Sequence, residues 1–302
     1  AGPAGYTAGI YSARARHDTL IISGILPGGQ LVNTTDVENY PGFENGIMGP
    51  DLMMVWRKQT ERMGATIVDD EVVKVDFKNK PFKVSTASTE YQADAVIIGT
   101  GANPRKLGLE GEQTFAGKGV SYCATCDGPF FRNLELVVSG GGDSAMEEST
   151  FLTKFATKVH IVHRRKELRA SKVMQERAFN NPKIQFHWNS EIEEINGNEK
   201  VQHVILRDIQ SNEKTKLEVG GVFVAIGHLI LSELAKPLRV KLNKAGEIII
   251  NHMTSESSVA GVFAAGDVTD KPFKQLITGV ADGCTAAYSA YEYITNSKVV
   301  TC

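Results

Sequence analysis

A chain of 302 residues with 42% apolar and 23% charged side chains can form two domains of ordinary size, each with its own core. A formal net charge of -2 gives no whole-chain reason to expect nucleic acid or an anionic membrane as partner. No run of ~18 apolar residues is present to span a membrane, and four cysteines do not make a secreted disulfide scaffold.

The chain opens on Ala1-Gly2-Pro3-Ala4-Gly5, and Ala4, Ala8, Tyr11 and Ala15 then recur at helical spacing. A glycine-bearing turn that opens a helix of small side chains has the form of the second half of a dinucleotide-binding turn. The strand before it and the first glycine of G-x-G-x-x-G are missing. Either the turn is a cap that binds nothing, or the chain lacks its true start; the later motifs favour the second. The start also lacks the basic region and apolar core of a signal peptide. A strand follows at Thr19–Ser23, where Ser23 and Gly24 stand in place of the acid that commonly binds ribose hydroxyls. Residues 28–42 read as a long polar loop, suited to a polyphosphate or to nothing more than a surface. A helix is expected from about Gly49 to Gly64, with Leu52, Met53, Trp56 and Met63 on its apolar stripe. Residues 65–98 read as a small antiparallel meander that ends in the turn Gly99-Thr100-Gly101-Ala102. The glycine-rich, charged stretch 107–119 reads as a connection between domains.

Next comes Ser121-Tyr122-Cys123-Ala124-Thr125-Cys126-Asp127-Gly128-Pro129. Cysteines three positions apart can close a small disulfide ring, and they can equally be half of a zinc site. A structural zinc site needs a second ligand pair, which Cys284, Cys302 and His160 do not supply in spacing, so redox chemistry is preferred and no metal is expected. Asp127 stands where an acid could protonate a leaving thiolate, or it simply forms a turn before Gly128. A strand over Leu134–Val138 then leads into Gly140-x-Gly142-x-x-Ala145 and a helix through Phe155, the context that makes a dinucleotide motif credible. At the end of the following strand, Val159–Val162, stand His163, Arg164 and Arg165, with Arg169 beyond. An acid at this place binds the ribose 2′-hydroxyl of NAD, whereas arginines pair with a 2′-phosphate and point to NADPH. The alternative is a solvated basic run before a helix over Lys166–Phe179. A second meander is expected over residues 184–224, closed by Ala225-Ile226-Gly227-His228, so the chain holds two copies of one plan. Val262–Val268 forms a strand ending in a Gly-Asp turn, and a helix over Ala281–Ile294 closes the chain.

These stretches together resemble the low-molecular-weight thioredoxin reductases over nearly the whole sequence. The match includes G-G-Q-L, T-G-A, C-A-T-C-D-G, H-R-R-K-E-L-R, A-I-G-H and A-A-G-D-V; C-A-T-C-D-G and H-R-R together are specific, while the A-G-D-V turn and the glycine turns are shared with many flavin-dependent disulfide reductases. The resemblance implies an α/β fold of two Rossmann-like, three-layer nucleotide-binding domains, each with a small antiparallel meander. It implies an FAD domain of residues 1–108 and 238–302, interrupted by an NADPH domain of residues 109–237. By similarity, FAD meets Gly2, Pro3, Ala4, Gly29, Gln30, Leu31, Thr34, Asn39, Thr100, Gly101, Ala102, Gly266, Asp267, Gln275 and Leu276. NADPH meets Gly142, Asp143, Ser144, Glu147, His163, Arg164, Arg165, Arg169, Ile226 and Gly227. Electrons are expected to pass from NADPH through FAD to the Cys123–Cys126 disulfide and on to a thioredoxin-like protein, with Cys123 attacking, Cys126 on the flavin side and Asp127 as acid. Rotation of the NADPH domain about hinges near 108–119 and Leu238 would bring the cysteines and the nicotinamide to the flavin in turn. A homodimer in the cytoplasm is implied as well. After His228, Leu229-Ile230-Leu231 stand where the family has Thr-Pro-Asn. Three rival functions remain. The reductase of a peroxidase system carries a further N-terminal domain, a flavin-dependent ferredoxin reductase lacks the cysteine pair, and a non-catalytic nucleotide-binding or zinc-stabilised module would not be a flavoprotein.

Overall fold

The computed structural model describes residues 1–34 and 36–299, so Thr35 and Cys302, both part of the sequence reading, lie outside the described residues. The chain divides into two compact units, Ala1–Asn103 with the chain from Ile230 onward, and Pro104–Leu229. The junctions fall at 103/104 and 229/230, compared with the expected 108/109 and 237/238. Packing explains the difference. The Arg105 amide bonds the Gly227 carbonyl, and Leu107 and Leu109 pack on the core of the 104–229 unit. Ile230 and Leu238 pack on the other.

The 104–229 unit is built on a parallel sheet of five strands in the order Val120–Ser121, Gly221–Val224, Glu135–Ser139, Lys158–His163, Ile184–Trp188. Leu136, Val137 and Val138 are fully buried, the continuous apolar run of a strand covered on both faces. Each such side chain contributes about 1.5–3 kcal/mol through burial. One face, with Leu136, Val138, Ile161 and Phe223, packs on the helix Asp143–Leu152 through Met146 and Leu152. The other, with Val137, Val162, Val222 and Val224, packs on an antiparallel sheet of Ser190–Gly197, Val201–Asp208 and Lys214–Glu218. The expected second meander is therefore narrower than 184–224. Ile184–Trp188 and Gly221–Val224 belong to the parallel sheet, because their apolar side chains are needed between its layers. The expected helix over 166–179 begins only at Lys172. The amides of Arg169 and Ala170 bond the Gly141 carbonyl and that of Ser171 bonds Asp143 Oδ1, so these residues are held to the glycine turn rather than to one another.

In the other unit, the helix Pro3–Arg14 packs against the long helix Leu276–Val299. Gly283 permits this close approach, since a Cβ there would stand 2.2 Å from the Ala4 carbonyl oxygen. The long helix starts ahead of the expected Ala281, with the Gln275 amide bonded to Thr278 Oγ1 at its entry. Strand Leu20–Ile22 pairs in parallel with Thr66–Val68, and Val96–Ile98 in parallel with Val262–Ala264. Only Lys74–Asp76, Phe82–Ser85 and Glu90–Ala93 form the antiparallel meander, so 96–98 leaves it for a partner far along the chain. The helix Gly49–Arg62 buries Leu52, Met53 and Trp56 as its apolar spacing predicts. The polar loop 28–42 is more ordered than expected, with a 3-10 turn over Gly29–Asn33 and a strand Asp36–Val37 paired with Ile47–Met48. No helix among the described residues is long and apolar enough to cross a membrane.

Candidate functional site

All the strands of the parallel sheet in the 104–229 unit run the same way, so the loops at their carboxyl ends share one edge. Across that edge, in strand order, come the cysteine segment after Ser121, the 225–227 turn after Val224, the glycines after Ser139, and the basic run from His163. Ligands of open α/β sheets bind outside the carboxyl ends, where the strand order reverses; here that point lies between Gly221–Val224 and Glu135–Ser139.

Cys123 and Cys126 are joined as a disulfide, with Cα atoms 5.3 Å apart. Cys123 caps the short helix Ala124–Asp127, and its Sγ accepts the Cys126 amide at 3.2 Å. Asp127 Oδ2 accepts a hydrogen bond from the buried Ser121 hydroxyl at 2.6 Å, and the same hydroxyl oxygen accepts the Cys123 amide at 3.1 Å. Burial pushes the Asp127 carboxyl above the usual range, with the Ser121 bond acting against it. An acid whose proton affinity is raised by burial thus directly follows Cys126 in the chain. The role of Ser121 was not read from the sequence; its only signal was a hydroxyl residue just ahead of the pair.

The glycine turn divides its work in a way the motif does not reveal. A Cβ on Gly140 would stand 2.4 Å from the Ala225 carbonyl oxygen, and one on Gly141 would be 2.3 Å from the His163 ring. Both positions serve packing. An added Cβ on Gly142 meets nothing within 4 Å, so this glycine faces open space at the start of the helix Asp143–Leu152. That start has no side-chain cap, which leaves its amides for an anion. Ser144 and Glu147 are exposed on the first turns, while Asp143 holds the Ser171 amide. His163 is buried, with Nε2 against the Glu167 carbonyl oxygen at 3.0 Å, and burial foremost, then the nearby arginines, lowers its pKa. Arg164, Arg165 and Arg169 are exposed, and the backbone bond from Arg169 to Gly141 keeps them beside the turn. Gly227 lies at φ +97°, with Arg105 side-chain atoms at the limit of contact.

In the other unit, several expected dinucleotide residues converge. Gly28 and Gly29 have positive φ, and the Gly28 amide bonds the Ala1 carbonyl at 2.7 Å. Position 29 favours glycine through its φ of +65°, and a Cβ there would stand 3.1 Å from the Gly2 Cα. Gly266 lies against Ala4, Gln30 Nε2 bonds Asn103 Oδ1 at 2.5 Å next to Ala102, and Asn39 bonds Gln275 at 3.4 Å. Leu31 and Leu276 pack in one apolar cluster, Thr34 borders Gly49, and Thr100 Oγ1 donates to the Leu231 carbonyl at 2.6 Å. Asp282 accepts the Gly266 amide beside Asp267 and pairs with Lys271. The helix Pro3–Arg14 has no side-chain cap and no acid in its first turn. This uncapped start, pressed against glycines 28 and 29, fits the pyrophosphate of FAD. Ser23 is buried and its hydroxyl donates to Asp69 Oδ1 at 2.9 Å, so the place after Ile22 is filled by a bonded hydroxyl. Among the described residues, no group of three or more His, Cys, Asp or Glu side chains could hold a metal ion.

The pyridine nucleotide-disulphide oxidoreductase family matches residues 1–287 of the sequence. The thioredoxin reductase of Streptomyces clavuligerus is 50% identical over 295 residues, covering 97% of this chain and 91% of the relative. Among solved structures, the thioredoxin reductase of Streptococcus pyogenes MGAS5005 superposes with a TM-score of 0.92 at 42% identity, covering 98% of this chain and 96% of that one. That of Giardia duodenalis gives 0.93 at 39% identity, covering 97% and 96%.

Proposed function

The chain belongs to the pyridine nucleotide-disulphide oxidoreductase family, and on that premise we propose which of its residues do the work. The reaction is NADPH-dependent reduction of a thioredoxin disulfide, in which bound FAD supplies the two-electron relay between nicotinamide and the Cys123–Cys126 couple. The observation that carries the residue assignment is a disulfide on the same sheet edge as the glycine turn and the arginines.

Gly2, Pro3, Ala4, Gly29 and Gln30 hold FAD in the unit that contains them, together with the 100–102 and 266–267 turns. In the 104–229 unit the amides after Gly142 hold the NADPH pyrophosphate, and Arg164, Arg165 and Arg169 pair with its 2′-phosphate. His163 orients this strand end by packing on Gly141. Reduction of the disulfide by two electrons leaves sulfur anions. Asp127, its carboxyl raised by burial, returns a proton to one of them. The thiolate of Cys123 then attacks the disulfide of thioredoxin, and Cys126 resolves the mixed disulfide. Both the sulfurs and the residues assigned to the nicotinamide nucleotide belong to the 104–229 unit; by family resemblance, rotation of this unit brings each to the flavin in turn. The assembly is a homodimer and acts in the cytoplasm; both readings rest on family resemblance.

With FAD bound, a Cys123→Ser variant is expected to be bleached by NADPH as fast as the wild type but to lose thioredoxin reduction, followed as thiol release. Retained turnover with thioredoxin overturns the assignment of Cys123.

A further inference from the structure

The helix Asp143–Leu152 carries a carboxyl, that of Glu148, with a buried oxygen that none of these roles uses. Glu148 Oε2 is buried without a hydrogen-bond partner. The backbone amide of Ala124, next to Cys123, bonds the same carboxylate. Burial is the main reason that its pKa is raised to about 7; the Ala124 bond acts against this and the charge of Glu147 adds to it. Ala124 shares one apolar cluster with Met146 and Leu152, and a Cβ on Gly128 would stand 3.3 Å from Leu152, so the cysteine segment is fixed against this helix. The signal in the sequence was an acid among Ala145, Ser149 and Leu152 on the inner face of a helix.

We propose that Glu148 is a positioning residue for the sulfur couple: acting through the Ala124 peptide, it takes up a proton when the Cys123–Cys126 disulfide is reduced and releases it when the disulfide re-forms. The proposal rests on the reading of this pair as the redox centre. Two electrons from NADPH, by way of FAD, and one proton convert the disulfide to one thiol and one thiolate. The new negative charge raises the proton affinity of the neighbouring carboxylate, which binds a further proton from solvent. Conversely, an ionised Glu148 disfavours the thiolate. The titratable groups on the elements around it are Asp127 on the cysteine segment, Lys172, Glu176 and Arg177 on the helix Lys172–Phe179, and Glu135, Lys158, His160 and His163 on the strands beneath. With the sulfurs joined, the charge of Glu147 adds to the effect of burial on Glu148.

The test uses the full FAD-loaded protein, reduced and then alkylated with iodoacetamide across the pH range, in the wild type, Glu148→Gln and Glu148→Asp. The wild type is expected to show two steps in alkylation rate, one of them near neutral pH. Glu148→Gln is expected to lose that step and to react roughly 3–10-fold faster at neutral pH, the effect of a thiolate pKa lower by about half to one unit. Glu148→Asp keeps a step at a shifted pH. A Glu148→Gln profile superimposable on the wild type overturns the proposal. If that variant does not retain FAD, the aspartate variant decides: an unshifted step overturns it. A wild type that shows the step but never reduces thioredoxin sinks the functional reading and supports the linkage.

Discussion

Arg164 and Arg165 stand exposed at a strand end whose neighbour, His163, is buried. The difference follows from where the strand ends: Lys158–His163 lies in a sheet covered on both faces and is buried through His163, and the arginines come after it. His163 packs against Gly141, and the chain then leaves the sheet with Arg164 and Arg165 exposed. A guanidinium paired with a phosphate is worth about 1.5–3 kcal/mol. Arg165→Gln is therefore expected to raise the KM for NADPH roughly tenfold to a hundredfold and to leave that for NADH nearly unchanged. Equal losses with both nucleotides would show that Arg165 does not meet the 2′-phosphate. The cysteine segment shows the same economy of contacts, because one Ser121 hydroxyl group serves both the Asp127 carboxyl and the Cys123 amide. Removing it would leave Asp127 buried and unpaired.

At the scale of elements, helix termini and helix crossings position the glycine turns. The uncapped starts of Pro3–Arg14 and Asp143–Leu152 each follow a glycine and offer amides to an anion, the second of them just after the strand Glu135–Ser139. The first of these helices is fixed by its crossing with Leu276–Val299 at Gly283. A Gly283→Val change forces a side chain into the Ala4 carbonyl, and overpacking of this kind costs about 1–3 kcal/mol. On the proposed assignment of Ala4 to the FAD turn, the variant is expected to melt at lower temperature and to lose flavin absorbance on gel filtration. Full flavin retention would mean that the crossing does not hold that turn. Helix Lys172–Phe179 shows the converse, with its expected first turns drawn out to bond Gly141 and Asp143. A local pattern that favours helix yields to amides with better-placed partners.

On the scale of the whole molecule, the unit Pro104–Leu229 is one uninterrupted stretch with apolar layers on both faces of its sheet. Expressed alone, residues 104–229 are expected to melt cooperatively, to form the Cys123–Cys126 disulfide and to bind no flavin. A gradual, non-cooperative melt followed by circular dichroism would show that the stretch depends on the rest of the chain. Much of this organisation was legible in the amino-acid order. The C-x-x-C-D stretch, the glycines before Asp143, the arginines after His163 and the helix from Gly49 all declare themselves through spacing and residue type, since turn chemistry, amphipathic period and charge are local properties. Strand partners are not local. Short apolar runs such as Ile184–Trp188, Gly221–Val224 and Val96–Ile98 fit an antiparallel meander as well as a buried parallel sheet, and only neighbours distant in sequence decided between them. Tertiary packing alone likewise assigned Gly140 and Gly141 to spacing and Gly142 to open space, and turned Glu148 inward beside Ala124. A motif fixes which residues occur; the atoms that arrive from elsewhere in the chain fix what each of them touches.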